Sequence, residues 1–138
     1  MKIQKVIIRF LDGRIVKGYI DELSPINSHI SVLDERSNKQ SIQLNQLKAV
    51  FYVKSFEGNK NYSEKKSFME TNRKGKKILV RFKDGESLTG HLEGDVPWRR
   101  GFFLESKKGG FFLIPSDYKS NNRKVFVVSE AVTNVTCF

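Results

Sequence analysis

The chain has 138 residues, 38% of them hydrophobic, and 25 Lys+Arg against 15 Asp+Glu, a formal net charge of +10. The length fits one ordinary domain or two very small ones, and the apolar content excludes a disordered chain. No run approaches the roughly 18 apolar residues of a membrane span, "MKIQKVIIRF" lacks the apolar core and cleavage site of a secretory signal, and a single cysteine, Cys137, excludes an internal disulfide framework; together these predict a cytoplasmic protein in a reducing compartment.

In chain order, Val6, Ile8 and Phe10 alternate with Ile7 and Arg9, which predicts a strand. It turns at Asp12-Gly13, a pair suited to the two positive-φ positions of a tight hairpin, and returns through "RIVKGYI". Gly18 falls in mid-strand and predicts a bend or bulge at a barrel corner. "HISVLD", the polar tip "ERSN" and "KQSIQL" predict a second hairpin, and the short "NQL" leads into the strand "KAVFYV". That makes five strands, with too few residues for a crossover helix. The polar stretch 55–77 follows, with Ser63 and Glu64 placed to cap a short helix through Met69, and reads as a charged linker.

The pattern then starts again. "KILVRFKDGESLTGHL" (77–92) repeats "KVIIRFLDGRIVKGYI" (5–20) at an offset of 72, matching Lys5, Arg9, Phe10, Asp12, Gly13 and Gly18 to Lys77, Arg81, Phe82, Asp84, Gly85 and Gly90. "FVVSEAVTNVTCF" (126–138) agrees in character with "SIQLNQLKAVFYV" (41–53) at an offset of 85, so the second copy carries about 13 extra residues, around the doubled "GFFL" that begins at Gly101 and Gly110. "SNK" (37–39) and "SNNRK" (120–124) each precede a fourth strand, which makes "GGFFLIP" the third strand and the earlier "GFFLE" an insertion, paired with it as a hairpin turning at 106–109. Alternation sends Phe111 and Leu113 to one side and Phe112 to the other, leaving an outer set for a partner or for packing between repeats. The expected organisation is a first small β-barrel repeat at 1–56, a charged linker at 57–76 and a second repeat at 77–138.

These units resemble the Sm-like barrel family of Hfq and Lsm type, on "FLDGRIVKGYI" and "FKDGESLTGHL", each with a glycine after the turn, and on the one-turn link before the last strand. The resemblance implies a mostly β protein of two tandem five-stranded Sm-like small barrels. Members of that family form rings and bind single-stranded RNA through two loops. Here those loops, "ELSPINSHISVL" with Asn27 and the turns "NQL" and "SEA", depart from the family's patterns, so the resemblance implies fold more than RNA chemistry. The two-repeat layout with "PSDYKSNNRKVFVV" is also similar to a poorly characterised bacterial family of tandem small barrels. A PilZ-like cyclic-dinucleotide site is a minor alternative: "ELSPIN" (22–27) approximates one of its two motifs with Glu22 and Asn27 substituted, and no Arg-x-x-x-Arg occurs.

Charge is spread as +4 over 1–54, +4 over 55–77 and +2 over 78–138, which favours a polyanionic partner. The carboxylates Asp12 and Asp84 belong to turns, and His29, His91 and Cys137 share neither a catalytic motif nor a metal-ligand spacing, so the expectation is a non-enzyme without cofactor or metal. Trp98, Arg99 and Arg100, between Pro97 and Gly101, with Lys107, Lys108, Arg123 and Lys124, form the candidate site for single-stranded RNA or DNA: an aromatic stacks a base while cations hold phosphate. The competing expectations are that Trp98 covers a barrel end, and that the chain is a protein-interaction or scaffold module, including a homo-oligomer, acting through strand edges and aromatic patches.

Overall fold

A computed structural model describes residues 3–20, 23, 28–57, 77–93, 109–116 and 121–137. The first half contains β1 (Gln4–Phe10), β2 (Ile15–Ile20), β3 (His29–Asp34), β4 (Lys39–Gln43) and β5 (Leu47–Val53), with a 3₁₀ turn at Leu44–Gln46. The second contains β6 (Lys77–Phe82), β7 (Ser87–Glu93), β8 (Gly110–Pro115), β9 (Asn122–Val128) and β10 (Val132–Cys137), with a 3₁₀ turn at Ser129–Ala131. Every described element is strand or 3₁₀ turn, and the protein is mostly β. The expected linker and its short helix at 63–69 lie outside the described residues, apart from Glu57.

The repeat extends to the register. In both halves the last strand pairs with the first, and the same bulge interrupts the pairing: Arg9 faces Ala49 and Phe10 faces Leu47, so Lys48 is the extra residue; Arg81 faces Asn134 and Phe82 faces Val132, so Thr133 is. Both Asp-Gly hairpins have three-residue loops. Phe10 and Arg14 close the first, with the Gly13 N–H donating to the Phe10 carbonyl at 3.1 Å, and Phe82, Glu86 and Gly85 close the second in the same way. Only the glycines take positive φ, +93° at Gly13 and +91° at Gly85. This corrects the two positive-φ positions expected of the pair: Asp12 and Asp84 instead accept the backbone N–H two residues on, each at 2.9 Å.

The ten strands form one antiparallel sheet in the order β10-β6-β7-β8-β9-β5-β1-β2-β3-β4. Each half keeps the order fifth, first, second, third, fourth, yet the expected pair of separate closed barrels is replaced by one open sheet. The reason is the partner of β5: its second edge is taken by β9, the fourth strand of the other half, with Val50 opposite Phe126 and Tyr52 opposite Lys124. Two cores follow. Val6, Ile8, Phe10, Ile20, Ile30, Val32, Ile42, Leu47, Val50 and Tyr52 form the first and take in Phe126 and Val128 from β9; the second gathers Ile78, Val80, Phe82, Leu88, Leu92, Phe111 and Leu113 and takes in Ala49, Phe51 and Val53 from β5. All seven residues of β5 are therefore buried, as period-2 alternation requires of a strand lodged between two cores.

Gly18 and Gly90 do not sit at bulges. Pairing with the first strand runs unbroken through both, Val6 to Gly18 and Ile78 to Gly90. The requirement comes from the third strand, which crosses so closely that a Cβ would strike the carbonyl oxygen of Leu33 or of Ile114. β8 is the third strand of its half, with β7 on one edge and β9 on the other; the earlier GFFL copy, and the hairpin expected of it, lie outside the described residues. Phe111 and Leu113 enter the second core, while Phe112 packs on the first, 5.1 Å between ring centroids from Phe126 and 6.0 Å from Tyr52.

Candidate nucleic-acid interface

Of the residues expected to bind nucleic acid, Trp98, Arg99, Arg100, Lys107 and Lys108 lie outside the described residues. Arg123 and Lys124 are on β9, and as neighbours on a strand they point to opposite faces. Arg123 is exposed. Lys124 is half-buried at the junction of the halves, its ammonium 4.9 Å from the ring centre of Tyr52 and 4.6 Å from that of Phe112. An ammonium held over two ring faces serves the junction as much as any ligand.

A different set of cations is gathered by the register of the first half. Val6, Ile8 and Phe10 point into the first core, so Lys5, Ile7 and Arg9 lie on the opposite face, where Ile7, with Phe56, packs against the second core; the β1–β2 register places Lys5 opposite Tyr19, Ile7 opposite Lys17 and Arg9 opposite Ile15. Tyr19 in turn lies opposite Leu33, and Leu33 opposite Lys39, which carries the face across β3 to β4. His29, Ser31, Ser41 and Gln43 complete it. Lys5, Arg9, Lys17, Lys39 and His29 are exposed, and none of these outward strand residues of β1–β4 is acidic. At one corner the Tyr19 ring meets Phe56 edge-on, 5.5 Å between centroids, with the Lys5 ammonium 5.9 Å from the Phe56 ring. Ile3, Ile15 and Leu33 add exposed apolar surface.

The acids near this face are committed elsewhere. The Asp12 carboxyl is held below the ordinary carboxylate range by the Arg14 backbone N–H and then by the Arg14 guanidinium, whose Nε is 2.7 Å from Oδ2. Asp34 is lowered by the backbone N–H of Asn38 across its own turn, and also receives the Arg36 N–H.

The second half does not repeat the face. Lys77 and Arg81 replace Lys5 and Arg9, but the counterparts of Lys17 and Tyr19 are Thr89 and His91, both buried. The sequence signal for the first-half face was the odd-numbered alternation of Lys5, Arg9, Lys17 and Tyr19, which becomes a surface only once the turn fixes the register. Among the described residues no three His, Cys, Asp or Glu side chains come together as a metal site, and no helix is long and apolar enough to cross a membrane.

Fold and face together define a tandem-repeat β protein whose two halves share one sheet and whose first half carries a basic, aromatic-bearing outer surface. The chain belongs to the DUF6982 family, a family of unknown function, whose model matches residues 2–138. No curated protein and no solved structure matches it.

Proposed function

We propose that the protein is a non-enzymatic module that binds single-stranded nucleic acid, with the outer face of β1–β4 as its surface. The observation that carries this reading is the acid-free set Lys5, Arg9, Lys17 and Lys39 interleaved with Tyr19 and Phe56. Cations spaced along pleated strands can track a phosphate backbone, and a half-exposed aromatic pair beside them offers a stacking surface to any base. Trp98, Arg99, Arg100, Lys107, Lys108 and Arg123 stay within the proposal as contacts beyond this face. The Sm-like kinship belongs to the same reading, supported by the strand order within each half.

Anisotropy titration of a labelled oligonucleotide of about 12 nucleotides tests it. Four phosphate contacts give a slope of log K against log salt of about −3 for a single strand. Lys5→Glu with Lys17→Glu should weaken binding and flatten that slope, and Tyr19→Ala should cost roughly 1–3 kcal/mol. Binding that ignores salt, or a double variant that binds like the parent, rules the face out.

A second reading, a protein-interaction module, is favoured by the two outer strands β4 and β10, each paired on only one side among the described residues.

A further inference from the structure

Phe56 belongs to neither half alone. It lies beyond Val53 and Asn122, the last pair of the β5·β9 ladder. Its ring packs against the second core beside Ile7, whereas the groups that meet the ring from outside stand on the first half: Tyr19 edge-on, 5.5 Å between centroids, and the Lys5 ammonium at 5.9 Å. Arg9 follows the same seam, its guanidinium 5.4 Å from the ring centre of Phe51, a residue of the second core. The aromatic pair and two of the cations assigned to single-stranded nucleic acid therefore line the seam between the halves.

Past the last rung of the ladder the chain is held by Asn121, a residue of the second half. The Asn121 carbonyl accepts the Lys54 N–H at 2.9 Å, and its side-chain amide then serves as one further rung: Oδ1 accepts the Ser55 N–H at 3.1 Å, and Nδ2 donates to the Ser55 carbonyl at 2.9 Å. The Ser55 hydroxyl reaches the same Oδ1 at 3.4 Å. An asparagine amide carries donor and acceptor side by side, so it pairs with both main-chain groups of Ser55 as a strand residue would. Phe56 is the next residue.

Both anchors of Phe56, the clasp on the residue before it and the packing of its ring, thus come from the second half, while its aromatic and cationic neighbours come from the first. We infer that Asn121 is a positioning residue of the nucleic-acid site, acting through Ser55 to hold the Phe56 ring at Tyr19, so that the stacking corner is completed only where the two halves meet. This rests on the nucleic-acid reading above and adds the requirement that the junction be intact for binding. With their planes 79° apart, the two rings form a corner in which a base stacks on one ring with its edge toward the other. A corner ordered beforehand asks little of the ligand. Released from Asn121, Phe56 must be ordered at the moment of binding, and affinity falls with no charge lost.

Oligonucleotide titration of the full chain at several salt concentrations, with proton NMR of the free protein, tests this. Asn121→Ala should weaken binding at least about fivefold, the low end of what loss of a stacking ring costs, with the salt slope unchanged because no cation is removed. In a Phe56→Ala background the same substitution should change affinity by less than about twofold, whereas in a Lys17→Glu background it should keep its full effect. Asn121→Asp keeps the acceptor for the Ser55 N–H and loses the donor to its carbonyl; it should fall between, and it carries the test should Asn121→Ala not fold. In the free protein the Tyr19 ring protons, shifted by the Phe56 ring, should move in Asn121→Ala toward their positions in Phe56→Ala. A parent that binds, beside an Asn121→Ala protein that binds equally, overturns the inference and leaves the nucleic-acid reading standing. Losses that simply add in the Phe56→Ala background, or Tyr19 protons that stay where the parent has them, overturn it too. A parent that binds no oligonucleotide overturns the nucleic-acid reading itself, and with it the part of Asn121 in binding.

Discussion

The Nζ of Lys48, on β5 in the first half, lies 2.7 Å from Oδ2 of Asp84 in the Asp-Gly turn of the second, and the same ammonium bonds Glu86 Oε1 and rests 4.8 Å from the Phe82 ring centre. The bulge explains how it gets there. As the extra residue in β5, Lys48 is freed from the alternation that would otherwise fix its direction. Its side chain is 9% exposed, while both carboxylates stay about half exposed, so the loss on removing it falls below the 3–5 kcal/mol of a fully buried pair. Lys48→Ala should lower stability by about 1–2 kcal/mol. Lys48→Met, which keeps the stem over Phe82, should lose less. Thermal or urea unfolding of both variants measures the difference, and a Lys48→Ala protein as stable as the parent would remove the ion pair from the junction.

The same contact makes stability depend on acid. The Asp84 carboxyl is pushed below 3.8 first by the Lys48 hydrogen bond and then by the Glu86 backbone N–H. A carboxyl whose folded pKa is depressed binds its proton more weakly when folded. Its contribution is complete above the unfolded value of about 3.9 and is lost as pH falls through the lower folded value. Asp12 and Asp34 shift in the same direction. Urea midpoints should therefore be flat from neutral pH down to about pH 5 and fall below about pH 4. Lys48→Met should fall less steeply, because its Asp84 has lost the larger of the two causes.

Much of this fold was legible in the sequence, and what was not traces to geometry that spacing does not encode. The repeat, the ten strands and the two one-turn links follow from hydrophobic alternation and turn residues. The register did not. A two-residue Asp-Gly turn would pair Phe10 with Ile15 and Arg9 with Val16, whereas the three-residue loop pairs Phe10 with Arg14 and sets Arg9 opposite Ile15. One residue of slip reverses which side chains share a face, so the cluster of Lys5, Arg9, Lys17 and Tyr19 was invisible until the loop was known. The shared sheet was hidden for a related reason. That Val50 and Phe51 are both buried is stated by "KAVFYV", but a run buried on both faces does not say which other strand covers the second.

Close approach of the third strand makes Gly18 and Gly90 necessary, and this separates them from Gly13 and Gly85. At Gly18 and Gly90 an added Cβ meets backbone that cannot move without opening the sheet. At Gly13 and Gly85 there is open space and only a positive φ to oppose it. Gly13→Ala should cost about 1–2 kcal/mol through backbone strain, while Gly18→Ala should cost as much or more and Gly18→Val more again, through overpacking of roughly 1–3 kcal/mol beyond which the third strand is displaced. Hydrogen exchange distinguishes the two: protection should fall in β3 for Gly18→Ala and stay intact there for Gly13→Ala.

Ser37 marks a place where the sequence is not optimal. It holds φ of 65°, closing the β3–β4 loop in the position that Gly13 and Gly85 occupy in theirs, with its N–H on the Asp34 carbonyl at 2.9 Å. A serine pays about 1–2 kcal/mol there that glycine avoids, less the entropy glycine loses on folding. Ser37→Gly should raise stability by up to about 1 kcal/mol, read as a higher urea midpoint at unchanged m-value. A lower midpoint would mean that the hydroxyl contributes more than the strain costs.

The shared cores make the sharpest prediction against independent halves. Phe126 belongs by sequence to the second half, yet it is fully buried in the first core, against Phe112 and opposite Val50. Phe126→Ala should therefore cost about 3–5 kcal/mol, the range for a buried phenylalanine left as a cavity. That loss should destabilise both halves, because β9 also carries Val125 and Val127 into the second core. The parent should unfold in one transition, with its aromatic fluorescence and the backbone signal of the whole sheet changing together. A fragment ending at residue 56 would expose Ala49, Phe51 and Val53 on the outer side of β5 and lose Phe126 and Val128 from its own core. It should be unfolded or associated through β5 when expressed without the second half. A monomeric fragment with a cooperative melt of its own would show that β9 is a lodger in the first core and not a part of it.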